Sequence, residues 1–165
     1  MLCIKLIGMC AIAMFTVIFI YPSLHEVGHF LAAVLVGAEV VEVSVFPVPC
    51  VSMFVDPYDS LGRAVIGMCG MIFPMICIMI RPKQFISSIV VCTILFVNAL
   101  AWLLSCVALV ADRLGFRWEG EDVITVVRNM EGSEIGAFLF CLAALIISLH
   151  VLLNRRILSR ILSFF

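Results

Sequence analysis

Tyr21-Pro22-Ser23-Leu24-His25-Glu26-Val27-Gly28-His29-Phe30-Leu31-Ala32-Ala33 is the stretch that decides how this chain is read. His25 and His29 are four residues apart, so on a helix they lie one above the other on a single face with Glu26 beside them. Two imidazoles so placed can grip one ion, and the His-Glu-x-x-His pattern fits a Zn²⁺ that keeps one position open for water. Such an ion lowers the pKa of that water towards about 7 and leaves the neighbouring glutamate to take its proton, which is chemistry suited to amide hydrolysis. His25 and His29 are therefore the candidate zinc ligands and Glu26 the candidate general base, with one Zn²⁺ expected per chain. The bland alternative is a structural polar cluster. Against it stands the cost of placing ionisable groups in an apolar run, at least about 2.5 kcal/mol for a charge in hydrocarbon.

The rest of the composition agrees with an apolar setting. The chain has 165 residues, 65% of them hydrophobic and 13% charged, with a mean hydropathy of +1.28. Soluble domains run near 45–50% apolar and about 25% charged, so the expectation is one α-helical integral membrane domain that crosses the bilayer several times. The net charge of −1 and the lack of a basic face interleaved with aromatics argue against nucleic-acid binding. Eight cysteines, with no CxxC pair among them, lie mostly inside apolar runs and are expected to pack as small hydrophobic residues. Met1 to Ile20, with Lys5, is longer than a signal-peptide core and passes directly into the motif, so it is expected to be retained.

Four to five transmembrane segments are expected, with a small β-hairpin after the motif helix. Residues 1–37 carry the first span and the motif helix; as one helix, Leu2 to Val36 would run about 50 Å against a hydrocarbon core of about 30 Å. Pro22 offers a kink and Ser23 a cap, so a bent helix or two closely joined ones are anticipated, ending at Gly37. Because Phe30 to Val36 continues the apolar run for about 10 Å, the motif should lie below the membrane surface. Residues 39–56 are β-rich, with Val41, Val43 and Val45 alternating with Glu42 and Ser44 as in a half-buried strand, and with Pro47 and Pro49 forcing an edge or a break. An unpaired strand edge beside a zinc site could take an extended peptide by strand addition, or the hairpin could simply cover the helices.

Residues 61–80 form the next span, whose Ala64, Gly67 and Gly70 offer a small-residue patch for close helix approach and whose Pro74 such surroundings tolerate. Residues 85–111 form a long span with Asn98 near its centre, a group expected to be interhelical glue or else to stand behind a ligand or face substrate. Residues 112–134 are a polar loop holding a short helix that opens on Glu121 and Asp122. Residues 135–153 are the last span, with His150 expected at the interface, and residues 154–165 a basic amphipathic tail for a headgroup surface. With the first stretch crossing once, Lys5, Arg81, Lys83, Arg155, Arg156 and Arg160 share one face and Arg63, Arg113, Arg117 and Arg128 the other. The positive-inside rule makes the first face cytoplasmic, by a small margin.

An HExxH within an apolar helix, followed by Phe30 to Val40 (Phe-Leu-Ala-Ala-Val-Leu-Val-Gly-Ala-Glu-Val), resembles the site-2 protease family of intramembrane zinc metalloproteases. The likeness continues through the β-rich stretch and the span around Gly67 and Gly70. It implies a third zinc ligand, an aspartate that opens a helix late in the core, for which Asp122 has the matching position. Asp112 is the alternative and Glu121 is adjacent, while the following glycine and neighbouring prolines of the family pattern are missing. The resemblance also implies a substrate: a transmembrane segment of another membrane protein, partly unwound because a helical amide is shielded by its own hydrogen bonds. Glu42, Val43, Ser44 and Val45 would hold that opened segment along a strand edge, with Asn98 a further candidate contact. Two rival readings are a non-cleaving protein of the same fold that binds partner transmembrane helices, and a zinc or proton transporter using intramembrane His and Glu.

Overall fold

The computed structural model describes residues 2–44, 47–56, 59–116, 122–130, 133–154, 159, 161 and 163. The chain begins with helix α1 (Leu2–Phe15), widens into one π-helical turn (Thr16–Ile20), and continues as α2 (Tyr21–Val36) without a break. The expected irregularity is present, but it sits one turn before Pro22 and takes the form of a π turn; Ser23 caps nothing and lies inside α2. The reason is local: a proline ring collides with the carbonyl four residues back and provides no N–H to bond it. Widening the preceding turn lets the Tyr21 N–H reach back to the Thr16 carbonyl, and the Thr16 hydroxyl closes on Ile12 O at 2.8 Å. α2 ends where Gly37 adopts φ 77°, a left-handed cap in which Gly37 N–H bonds Val34 O and Ala38 N–H bonds Ala33 O.

The hairpin follows, β1 (Glu39–Ser44) antiparallel to β2 (Cys50–Phe54). Its register pairs Val43 with Val51 and Val40 with Met53, with a bulge between Val40 and Glu42. That bulge corrects the simple alternation expected from sequence. Val40, not Val41, shares a face with Val43, Val51 and Met53, while Val41 is 68% exposed. Val40, Met53 and Val55 of this face pack over Ala32, Ala33 and Ile66. Val45 lies outside the described residues.

α3 (Ser60–Ile72) is capped by Asp59, whose Oδ1 accepts the Gly62 N–H at 2.7 Å. It does not run as an α-helix to residue 80: from Phe73 to Met79 it tightens to 3₁₀, again at a proline, Pro74. α4 (Phe85–Arg113) and α6 (Glu134–Asn154) pack together around Trp102, whose ring meets Phe140 edge-on at 5.7 Å. Between them α5 (Asp122–Asn129) turns buried Val123, Ile124 and Val126 inward against α3 and the Trp102 cluster.

Among the described residues four helices are long and apolar enough to cross a membrane: 3–36, Ser60–Met79, Phe85–Arg113 and Glu134–Asn154. Large apolar side chains such as Ile4, Leu35, Met79 and Leu153 stand more than 70% exposed on them. Such a surface suits lipid, where an apolar face needs no protein cover. His150 is exposed on α6 beside Asn154, away from any cluster of ligand-type side chains. Cys77, Cys106 and Cys141 are buried, Cys3, Cys10 and Cys50 lie on the surface, and none of the eight cysteines forms a disulfide. Arg155, Arg156 and Arg160 of the tail, with Arg117 and Glu121, lie outside the described residues.

Candidate metal centre

Two chain segments far apart in sequence meet at one point. α2 carries His25 and His29 one turn apart, and α5 opens with Asp122 facing them. Asp122 Oδ2 lies 3.1 Å from His25 Nε2 and 3.5 Å from His29 Nε2, and the two ring nitrogens are 3.0 Å apart. A tetrahedral ion with bonds of about 2.0–2.1 Å holds its ligand atoms about 3.3 Å apart, so the spacing fits a metal without rearrangement. Among the described residues this is the group of His, Cys, Asp or Glu side chains able to hold an ion. The cluster is sheltered, with side-chain exposures of 23%, 12% and 29% for His25, His29 and Asp122.

The second nitrogen of each ring tells two different stories. His29 Nδ1 lies 2.8 Å from the Ile66 carbonyl of α3. A carbonyl can only accept, so Nδ1 carries a proton, and in the neutral ring this leaves on Nε2 the lone pair that a metal would use. His25 Nδ1 is buried and has no hydrogen-bond partner among the described residues. Its ring is instead braced by stacking on Tyr21, 6.4 Å away at 26°.

Asp122 is electrostatically committed to the histidines. Burial pushes its carboxyl up, but hydrogen bonds and charge from His25 and His29 outweigh that and hold it well below the usual carboxylate range. The other aspartate considered from sequence, Asp112, does not join the cluster; it binds Arg128 Nη2 at 2.9 Å on the exposed end of α4.

Glycines set the distances. A Cβ on Gly28 would overlap the Cys69 carbonyl, so α2 and α3 touch backbone to backbone there. A Cβ on Gly70 would overlap the His29 ring, and one on Gly67 would press on Val126 at 3.2 Å and on the Asp122 carbonyl at 3.3 Å. The glycine patch of α3, read from sequence as a helix contact, is thus the floor on which His29 and α5 both rest.

Glu26 is not in the three-residue cluster. Its Oε2 accepts the backbone N–H of Val51 in β2 at 2.9 Å. β1, with Glu42, Val43 and Ser44, lies on the far edge of β2, one strand removed from Glu26. Asn98 faces no open cleft. It is completely buried, its oxygen accepting from Trp102 Nε1 (3.0 Å) and its nitrogen donating to Met71 O and Tyr21 Oη (both 3.2 Å), so it ties α2, α3 and α4 together. The Ile66 carbonyl and the Val51 N–H were not legible beforehand, because a backbone group looks the same at every position of a sequence.

No protein-family model, curated protein or solved structure matches this chain.

Proposed function

We propose that this chain is an intramembrane zinc metalloprotease, a multi-pass membrane protein that hydrolyses a peptide bond in or near a transmembrane segment of another membrane protein. The observation that supports the reading most is the convergence of His25, His29 and Asp122 to within 4.8 Å of one another, with Glu26 next in sequence to His25. When bound there, Zn²⁺ supplies Lewis-acid chemistry, polarising a carbonyl and making water a nucleophile near neutral pH. His25 and His29 offer neutral ring nitrogens and Asp122 a carboxylate, two nitrogens and an oxygen, the donor set of a catalytic site with one position open. Glu26 takes a proton from the attacking water and returns it to the leaving nitrogen. On α3, Gly70 and the Ile66 carbonyl cover one side of the His29 ring. A transmembrane substrate has to be unwound to expose its amide, and the hairpin that touches Glu26 through Val51 is the extended element along which such a segment would lie.

The test uses the full chain purified in detergent. Bound zinc near one equivalent is expected, lost in His25→Ala and Asp122→Ala and kept in Glu26→Gln. Membrane proteins that accumulate uncleaved in cells carrying Glu26→Gln, and are cut by the purified wild type, identify the substrate. Cleavage that survives Glu26→Gln would overturn the assignment of the base. Zinc flux into proteoliposomes that persists in that variant would make the protein a transporter instead.

A further inference from the structure

The hydrogen bond between the Val51 N–H and Glu26 Oε2 joins the motif helix to the hairpin. Backbone geometry gives it meaning. In an antiparallel ladder residues alternate between pairs that exchange both hydrogen bonds and pairs whose N–H and C=O groups point outward. The Val51 N–H points to Glu26, so the Val43–Val51 pair is of the outward kind and β2 presents its free edge to α2. In apolar surroundings both halves of this contact would otherwise be costly: a strand-edge N–H with nothing to bond, and a carboxylate without a donor. The bond therefore satisfies both. Among the described residues the hairpin makes no hydrogen bond to the second carboxylate oxygen, Oε1.

We infer that the Val51 backbone N–H is the positioning group for the general base: by gripping Oε2 it fixes the Glu26 carboxylate so that Oε1 faces the water, making the hairpin part of the catalytic apparatus as well as a cover over the helices. The inference rests on the peptidase reading of the site. A glutamate has three side-chain torsions and several rotamers open to it on a helix, and a misplacement of about 1 Å at a reacting group can cost about 100-fold in rate. A fixed backbone donor removes that freedom at one oxygen and leaves the other in place. Because the donor is an N–H, the side chain at position 51 matters little and the atom matters a great deal.

The experiment changes that atom alone. In the full-length protein, valine 51 is replaced through nonsense suppression by α-hydroxyisovaleric acid, which exchanges the N–H for an ester oxygen; valine installed by the same route is the control. Val51→Pro, which removes the same donor at an outward-facing edge position where proline is tolerated, is the second variant. Both are expected to keep zinc content and KM while kcat on the substrate trapped with Glu26→Gln falls about 10- to 100-fold. Residue-resolved hydrogen exchange supplies a readout independent of activity: the Val51 amide should exchange at least tenfold faster in Glu26→Ala than in wild type, with the amides of Cys50 and Ser52 unchanged. The inference is overturned if the ester variant turns over at the wild-type rate or faster, a faster rate making the contact a latch, or if Val51 exchange ignores Glu26→Ala. Unchanged cleavage by Glu26→Gln would instead sink the peptidase reading and this inference with it.

Discussion

The imidazole of His29 lies directly on Gly70, so close that a Cβ at position 70 would overlap its Cε1 and Nε2 atoms. The candidate ligand and the helix behind it are therefore one fitted unit. Gly70→Ala must push the ring away from Asp122 or push α3 away from α2, and zinc affinity is expected to fall about 10- to 100-fold, as when a ligand's supporting contact is removed. Gly8→Ala and Gly136→Ala, where an added methyl meets nothing within 4 Å, are expected to leave affinity unchanged. Competition with a zinc chelator of known strength measures all three.

The two aspartates separate cleanly. Asp122→Asn should strip the metal, because the amide has no charge to offer and the carboxylate is what faces both rings. Asp112→Asn should keep it, losing only an exposed ion pair with Arg128 worth within about 1 kcal/mol. Metal content and melting temperature in detergent distinguish the outcomes, and zinc loss in Asp112→Asn would refute the ligand assignment.

Asn98 is the polar knot of the helix bundle. Asn98→Ala strands the Trp102 N–H and the Met71 carbonyl in the interior, and a loss of about 1–3 kcal/mol is expected in detergent unfolding. Tyr21→Phe removes one partner from the edge of the same knot and should cost less, within about 1.7 kcal/mol. A larger effect for Tyr21→Phe would mean that its hydroxyl serves something beyond Asn98.

Acid should loosen the cluster through Asp122. Its native pKa is depressed relative to the unfolded chain, so the unfolded state binds the extra proton first and stability rises with pH across that interval. The contribution is present above the ordinary carboxylate value of about 3.9 and is lost as pH falls below it towards the depressed native value. The melting-temperature difference between metal-free wild type and Asp122→Asn should therefore narrow on going from pH 5 to pH 3. A difference that widens would show that the carboxylate is not stabilised by the histidines.

Much of the architecture was legible beforehand because its causes are local. Apolar runs of span length, Gly37 after the last helical residue, and a valine-rich stretch interrupted by Pro47 and Pro49 mark the helices and the hairpin whatever surrounds them. The alternation in β1 was legible only in part: a bulge depends on the partner strand, so Val41 could not be seen to slip out of register. The irregularity in the first helix was legible in place but not in form: Pro22 announces an obstacle to the carbonyl four residues back, and the chain meets it with a π turn upstream in place of a cap at Ser23.

By itself the sequence determined that His25, Glu26 and His29 share a helix within an apolar chain, since a four-residue spacing and a 3.6-residue turn leave no other arrangement on that helix. Only the tertiary structure decided which carboxylate completes the cluster, that glycines of α3 set its depth, and that a backbone N–H from the hairpin reaches Glu26. Those contacts join segments far apart in the chain through packing and main-chain atoms, neither of which leaves a mark on the order of side chains.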